Sequence, residues 1–194
     1  MDWRLAAEHL GWDVGGIRAE RVGGGCISEA FCLRVPDGGR VFLKTDSEGA
    51  GDRFAAEAEG LRVMSATATL RVPEPLQVGV VPGEGAFLVM EWVELADRGD
   101  WSEMGRELAR MHRCPPGEGR FGWHRENAIG ATRQVNGWME EWPEFFRERR
   151  LRFQLKLAES GGGLVIDGAD RLLEGVGEVL RGRSVEPSLV HGDL

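Results

Sequence analysis

The pattern of the chain changes near residue 93, and this change restricts the folds that the sequence can adopt. Before that point, short apolar stretches alternate with turn-forming residues, which predicts antiparallel strands around a helix. The strands are predicted at 17–22, 26–35, 40–45, 76–81 and 86–91, and the helix at 52–65. After it, helical spacing predicts helices at 102–112, 138–159 and 170–181. The sequence therefore predicts an α+β protein with a β-rich first half and a helical second half.

The composition excludes several classes of protein. The 194 residues carry a net charge of −8 without any run of basic side chains, so binding to nucleic acid is not expected. Apolar stretches such as 86–90 are far shorter than the roughly 20 residues of a membrane span, so no membrane partner is expected. The first residues lack the pattern of a secretory signal. Three cysteines without metal-ligand spacing predict a reducing compartment, the cytoplasm.

Three consecutive glycines, Gly23, Gly24 and Gly25, separate the first two predicted strands. Such a loop leaves its backbone amides bare and can approach phosphate oxygens closely. The loop is not specific by itself, because no Gly-Lys-Ser/Thr follows it and plain hairpins also use glycines. Lys44 ends the third strand, from which it could extend toward this loop, although taken alone a lysine at a strand end is more often simply solvated.

Glu57 lies on the apolar face of the predicted helix. With about 100° per residue, it shares that face with Phe54, Ala58 and Leu61. A carboxylate there needs a partner, because an unpaired buried charge is strongly unfavourable. Lys44 is the predicted partner, and the alternative is a glutamate at the edge of the face that reaches water. A strand lysine paired with a helix glutamate is the arrangement that holds ATP phosphates in kinases.

Two further segments are typical of phosphoryl transfer. The buried-strand pattern at 87–90 ends in Glu91-Trp92-Val93-Glu94, the kind of hinge against which an adenine ring can lie. Near the C-terminus, a strand predicted at 188–190 leads into His191-Gly192-Asp193. A carboxylate on a rigid loop can orient an acceptor hydroxyl and accept its proton, which is the role predicted for Asp193. Alone, such an aspartate would be taken for a turn former.

These motifs resemble those of the fructosamine (ketosamine) kinases, within the aminoglycoside-phosphotransferase and choline-kinase-like group. The matching segments cover nearly the whole chain: GGGCISEAF (23–31), VFLK (41–44), FAAEAEGL (54–61), RVPEP (71–75), FLVMEWVEL (87–95), the block at 121–158 and LVHGDL (189–194). The block at 121–158 distinguishes this family, because its neighbours share only the loop, the lysine and the HGD. A related aminoglycoside or choline-type kinase and a non-catalytic nucleotide-binding fragment stay open as alternatives.

The resemblance implies an ATP-dependent kinase that phosphorylates a sugar hydroxyl of small-molecule or protein-bound fructosamines, a deglycation repair reaction. It implies a protein-kinase-like fold with an ATP-binding lobe at 1–92 and a partial, mainly helical lobe at 93–194. The residues expected to take part in catalysis are Asp193, Lys44 and Glu57. The residues expected to bind the nucleotide are Gly23, Gly24, Gly25, Cys26, Ser28, Lys44, Met90, Glu91, Trp92 and Val93.

The resemblance also suggests where the substrate binds. Within 121–158, aromatic rings and amides suit a polyhydroxylated sugar-amine, although they serve packing equally well. The residues that we select for substrate contact are His124, Asn127, Trp138 and Trp142. The family has a cysteine in its phosphate loop that has been linked to redox control, and Cys26 stands at that place. A redox-linked association through Cys26 is therefore one reading, and an ordinary loop residue is the other.

The metal site is where the sequence departs from the family pattern. In the family, the HGD loop continues to an asparagine, and a later Asp-Pro-Ala segment supplies an aspartate; both bind Mg²⁺. Here Leu194 directly follows Asp193. The Mg²⁺ ligands are therefore expected beyond residue 194, and none is expected within the chain. Without the metal, phosphoryl transfer loses a main electrostatic support, so we expect the chain by itself to be inactive.

Overall fold

The computed structural model describes residues 1–23, 27–96, 98–114, 119–182 and 185–192. The chain divides into two compact units, one of Met1–Met111 with the residues from His191 onward, and one of His112–Val190. The predicted lobe boundary at residues 92 and 93 stays a prediction. Among the helices of the described ranges, none has the length and apolar character that crossing a membrane requires.

The first unit contains a five-stranded antiparallel sheet. Its strands are β1 (Arg18–Arg21), β2 (Glu29–Arg34), β3 (Arg40–Asp46), β4 (Pro75–Val81) and β5 (Gly85–Glu91), in the order β1-β2-β3-β5-β4. The helices of this part are α1 (Trp3–His9), α2 (Gly51–Ala66) and α3 (Trp101–His112). The strands and α2 lie where the alternating and helical patterns predict them. The α+β fold class with an antiparallel first half is therefore confirmed.

The sheet is covered by apolar residues on both faces. On one face, Phe87 and Val89 of β5 pack in a core that includes the two alanines of α1. On the other face, Leu88 and Met90 pack with Phe54 and other residues of α2. This division follows from the alternation of side chains along a strand, which sends neighbouring residues of β5 to opposite faces. Helix α2 is thereby fixed against the face that also carries Lys44, because Phe42 of β3 packs in the same core.

The second unit is mainly helical and contains a short hairpin. The hairpin pairs β6 (Asn127–Ile129) with β7 (Thr132–Gln134), and the helices are α4 (Trp142–Phe145), α5 (Arg152–Gly162) and α6 (Ala169–Leu180). A π-helical segment, Phe146–Leu151, joins α4 to α5. Because π-helical turns distort the regular spacing of side chains, the chain from α4 to α5 is not one uniform α-helix.

In this half of the chain, one predicted helix starts too early and one predicted strand does not form. The helix predicted at 138–159 begins only at Trp142, because Met139 instead exchanges backbone hydrogen bonds of 2.8 and 2.9 Å with Phe121. The strand predicted at 188–190 has irregular backbone, and Val190 is exposed. So short a stretch, with only Leu189 and Val190 apolar, forms a strand only where a neighbouring strand is available to pair with it.

Candidate nucleotide site

Lys44 of β3 and Glu57 of α2 form the predicted ion pair. The Lys44 Nζ atom donates a hydrogen bond of 2.5 Å to Glu57 Oε1. The two side chains are 30% and 32% exposed, so Glu57 stands at the edge of the apolar core and is not buried on it as expected. An ion pair this exposed contributes only about 0–1 kcal/mol to the free energy of unfolding. The pair therefore matters for where it holds the ammonium group.

The choice of lysine at position 44 is itself informative. Of the 24 lysine and arginine residues in the chain, only Lys44 and Lys156 are lysines. Arginine presents a planar fork of donors, whereas lysine presents a compact, strongly hydrated charge that can turn to meet several oxygens. A lysine kept here in an arginine-rich chain favours a role that needs this compact charge.

A second ion pair links the same two elements and was not found from the sequence. Arg53 of α2 pairs with Asp46 at the end of β3. Ser28 joins this pair, because its hydroxyl donates to Asp46 Oδ2 at 2.8 Å and accepts from Arg53 Nη2 at 3.2 Å. Burial works to raise the pKa of Asp46, but hydrogen bonds from the Ser47 amide, Ser28 and Arg53 outweigh it and hold that pKa below its ordinary value.

The spacing of these residues is the signal that could have found them. Asp46 is two residues after Lys44 on a strand, and Arg53 is four residues before Glu57 on a helix. Residues at those separations share a face of their element. Strand β3 thus presents one positive and one negative side chain to α2, and α2 presents one of each to β3. Once Lys44 is paired with Glu57, a second ion pair between Asp46 and Arg53 is the natural expectation.

The glycine loop is described only at its two sides. Gly23 is exposed, whereas Gly24, Gly25 and Cys26 lie outside the described residues, so the predictions for these three are not tested. Below the loop, the Val22 amide donates to the Ala30 carbonyl at 2.9 Å, which closes β1 and β2 into a hairpin. Of the described residues, Gly23 thus follows β1 on the near side of the loop, and Ser28 precedes β2 on its far side.

The end of β5 and the segment that follows it are held by ion pairs on Glu91 and Glu94. Glu91 pairs with Arg71, and the Glu91 amide donates to the Glu74 carbonyl at 2.8 Å. Glu94 pairs with Arg40 of β3. The side chains of the predicted hinge are therefore engaged with neighbouring residues of the first unit. This arrangement fixes the course of the backbone, which is the part that an adenine ring would contact.

The other predicted hinge residues differ in their surroundings. Met90 is buried in the core under α2, and Val93 is half-buried. The indole of Trp92 lies 6.2 Å from the Phe42 ring, centroid to centroid, and the Arg40 guanidinium lies 5.7 Å from the indole. Within the described residues, the buried Nε1–H of Trp92 has no hydrogen-bond acceptor. Trp92 is thus packed on its faces while its polar edge is unsatisfied.

The residues selected for substrate contact lie in the second unit, but they do not form one group. The ring of Trp123 contacts those of His124 and Trp138, at 5.1 and 5.8 Å between centroids. Asn127 accepts a hydrogen bond of 2.9 Å from the buried Asn136. These contacts bring His124 and Trp138 together, through an aromatic residue that the sequence argument did not name.

Trp142 belongs to a separate cluster of rings. It packs against Phe121, Phe145 and Phe146, with centroid distances of 5.4 to 6.0 Å. It also lines a cavity of about 340 Å³ together with Glu141 and residues at the end of α6. Its role in packing is plain from these contacts, and its role in substrate binding stays a prediction.

Asp193, the expected base, lies outside the described residues. Among the residues that the structure describes, no group of three or more histidine, cysteine, aspartate or glutamate side chains is placed to hold a metal ion. The described part of the site is therefore the surface between β3 and α2, the two sides of the glycine loop and the segment after β5.

A sequence model of the fructosamine kinase family matches residues 3–194. The chain belongs to the fructosamine kinase family. A relative from Oryza sativa subsp. indica, named Protein-ribulosamine 3-kinase, chloroplastic, is 40% identical to this fructosamine kinase family member over 176 residues. A relative from Synechocystis, named "Probable ketoamine kinase", is 39% identical over 198 residues. The resemblance inferred from the motifs is therefore confirmed.

The alignments also show how much of each relative this family member represents. The alignment with the rice relative covers 89% of this family member and 51% of the relative. The alignment with the Synechocystis relative covers 99% of this family member and 66% of the relative. It thus spans about half to two thirds of the length of these curated relatives. The crystal structure of a Haemophilus somnus protein named "Putative fructosamine-3-kinase" matches 95% of this family member and 62% of that chain, with a TM-score of 0.80 and 24% identity. This likeness confirms the protein-kinase-like fold.

Proposed function

We propose that this chain carries the nucleotide-binding part of an ATP-dependent kinase that phosphorylates a sugar hydroxyl of ketosamines. The observation that supports it most directly is the 2.5 Å contact between Lys44 and Glu57, on the two elements that also anchor the far side of the glycine loop. The rice and Synechocystis relatives are named as a ribulosamine kinase and a ketoamine kinase, which supports the substrate class. A cytoplasmic location belongs to the proposal, although the rice relative is named as chloroplastic.

Each residue has a defined part in this proposal. The Lys44 ammonium contacts the phosphates of ATP, and Glu57 holds that ammonium in place. The loop Gly23–Ser28 covers the phosphates with its amides, and the backbone of Glu91–Val93 borders the adenine ring. Asp193 accepts the proton of the sugar hydroxyl as the hydroxyl oxygen bonds to the γ-phosphorus of ATP, and the bond from that phosphorus to the bridging oxygen breaks to release ADP. Mg²⁺, when bound, neutralises charge on the phosphate oxygens.

The residues that are described fit a nucleotide in one specific respect. Among the described residues Lys44 has one carboxylate partner, Glu57, and it is 30% exposed, so its ammonium has hydrogen-bonding capacity left for a ligand. A lysine pointing into solvent without Glu57 would have no fixed position. Because Glu57 is itself only partly exposed, the ammonium is oriented before a ligand arrives, which lowers the ordering cost of binding.

Titration with ATP, followed by calorimetry, tests the nucleotide part of the proposal. The wild-type chain is expected to bind ATP, and Lys44→Met is expected to weaken binding by about tenfold or more, as the loss of a charge-assisted hydrogen bond implies. Lys156→Met is the matched control, because it removes the only other lysine, on an exposed part of α5. If the wild type binds ATP and both Lys44→Met and Lys156→Met bind it with the same affinity, the proposed role of Lys44 is contradicted.

Phosphate transfer is tested separately with a panel of acceptors. The panel contains a synthetic fructosamine, a ribulosamine, an aminoglycoside and choline, and phosphorus NMR detects any phosphorylated product. Phosphorylation of only the fructosamine and the ribulosamine supports the ketosamine assignment. Phosphorylation of the aminoglycoside or choline contradicts it. Because we expect the chain by itself to be inactive, ATP binding without any transfer agrees with the proposal that it carries the nucleotide-binding part of the kinase.

A further inference from the structure

Helix α2 and strand β3 are joined by two ion pairs of opposite polarity. The strand supplies a cation at Lys44 and an anion at Asp46, whereas the helix supplies an anion at Glu57 and a cation at Arg53. If the helix shifted by one turn along the strand, Lys44 would face Arg53, or Asp46 would face Glu57. Like charges would then meet, which disfavours the shifted position. The two pairs together therefore select one position of the helix.

Ser28 extends this arrangement to the glycine loop. Its hydroxyl group lies between the two partners of the second pair, donating to Asp46 at 2.8 Å and accepting from Arg53 at 3.2 Å. The second pair is also the less exposed one, with Arg53 at 25% and Asp46 at 20%, against 30% and 32% for Lys44 and Glu57. Water competes less for the charges of a less exposed pair, so this pair is the firmer of the two.

We propose that Ser28, Asp46 and Arg53 form a loop anchor that positions two parts of the phosphate site at once. Through Arg53 the anchor fixes α2 so that Glu57 meets Lys44, and through Ser28 it fixes the far side of the glycine loop. The three are positioning residues, since they act through Lys44 and the loop. This inference rests on the proposed function for its ligand, ATP, but the placement of Lys44 can be tested without a ligand.

The first experiment measures the reactivity of the two lysines. The folded chain is acetylated with a water-soluble amine reagent, and mass spectrometry gives the rates at Lys44 and at exposed Lys156 in the same sample. Loss of the Lys44–Glu57 pair should free the ammonium and raise the Lys44 rate by at most about fivefold, the factor that corresponds to ~1 kcal/mol. We expect this rise in Arg53→Met, with the Lys156 rate unchanged.

A control on the same helix separates this effect from a general loss of charge. Arg62 of α2 donates to the Pro75 carbonyl at 3.3 Å and, among the described residues, forms no ion pair with β3, so Arg62→Met should leave both rates unchanged. Arg53→Lys keeps the charge and should restore most of the protection of Lys44. An Arg53→Met chain that is folded by circular dichroism but shows the wild-type ratio of the two rates would overturn the positioning of Lys44 by Arg53.

The second experiment compares ATP with adenosine, which lacks phosphates. Arg53→Met and Ser28→Ala are expected to weaken ATP binding by several-fold while adenosine binds as it does to the wild type. Equal losses for both ligands would show a general structural effect and overturn the anchor. A wild-type chain that binds no ATP would overturn the proposed function and the phosphate part of this inference, while the acetylation rates would still decide whether Arg53 positions Lys44.

Discussion

At the scale of single residues, Asp46 is held by donors from three directions. The Ser47 amide donates to its Oδ1 at 2.6 Å, and the Ser28 hydroxyl and Arg53 reach its Oδ2. Burial alone would raise the pKa of this carboxyl group, but the donors stabilise the ionised form more and lower the pKa below its ordinary value. Since the native chain binds this proton less readily than the unfolded chain, ionised Asp46 stabilises the fold.

Asp46→Asn should therefore lower the free energy of unfolding in a pH-dependent way. The contribution of Asp46 is fully present above the ordinary pKa of about 4 and is lost as the pH falls toward the lowered native pKa. Urea midpoints of the wild type and the variant should differ most near neutral pH and converge toward pH 3. A difference that stays constant or grows on acidification would contradict the lowered pKa of Asp46.

The wild type has to be compared with Asp46→Asn because other carboxylates with lowered pKa values also make the stability fall at low pH. Hydrogen bonds from Arg133 lower the pKa of Glu126, and hydrogen bonds from Arg147 and Arg152 lower the pKa of Glu148. The wild-type curve alone therefore cannot be assigned to one residue. Replacing an exposed aspartate, as in Asp167→Asn, controls for the general change in net charge.

At the scale of helices and strands, local periodicity accounts for what the sequence could predict. Strand β5 was found because a run of apolar residues predicts a strand that is buried on both faces, as Phe87 and Leu88 are. Trp138 also fits a helical pattern, but the bridge of Met139 to Phe121 competes with helix formation there. The Asp46–Arg53 pair depends on how β3 and α2 pack, which no single stretch of sequence contains.

Gly60 of α2 offers a test of helix stability that leaves the site intact. A Cβ atom at this position would have open space around it, so alanine meets no neighbour. Because glycine loses more backbone entropy than alanine in a helix, Gly60→Ala should raise the free energy of unfolding by about 0.5–1 kcal/mol. Urea unfolding measures this change, and ATP affinity should stay the same. A loss of stability would mean that α2 is not continuous through Gly60.

Gly79 of β4 is the contrasting glycine in the same unit. A Cβ atom there would overlap the ring of Phe87, which is fully buried and cannot move aside freely. We expect Gly79→Ala to lower the free energy of unfolding by about 1–3 kcal/mol, the usual range for overpacking a core. Gly83→Ala is an unsuitable control because of its positive φ of 77°. Gly49, which has open space and no positive φ, is the appropriate control.

At the scale of the whole molecule, the point where the sequence pattern changes differs from the point where the compact units divide. The pattern changes at residue 93, where the β-rich part ends, whereas the division into compact units includes most of α3 with the sheet. Met111, near the end of α3, is buried. Composition and periodicity record which secondary structure a segment forms. Which segments share a compact unit is decided by tertiary contacts, which a local pattern does not record.

The two apolar cores and the proposed ATP site all lie in the first unit, Met1–Met111. A ligand that binds only the native state stabilises it, so amides that exchange through unfolding of this unit should become protected. With ATP at about 100 times its dissociation constant, their hydrogen exchange should slow about a hundredfold. Peptides from 119–182 in the second unit should exchange at unchanged rates and provide the internal control.

Hydrogen exchange followed by mass spectrometry measures both units in one sample. In Lys44→Met, the same ATP concentration should protect the peptides of β2, β3 and α2 much less, because the fraction of chain with bound ATP falls. Equal protection of both units by ATP would contradict a ligand that acts through the first unit alone. Protection that is as strong in Lys44→Met as in the wild type would instead mean that ATP binds away from the Lys44–Glu57 pair.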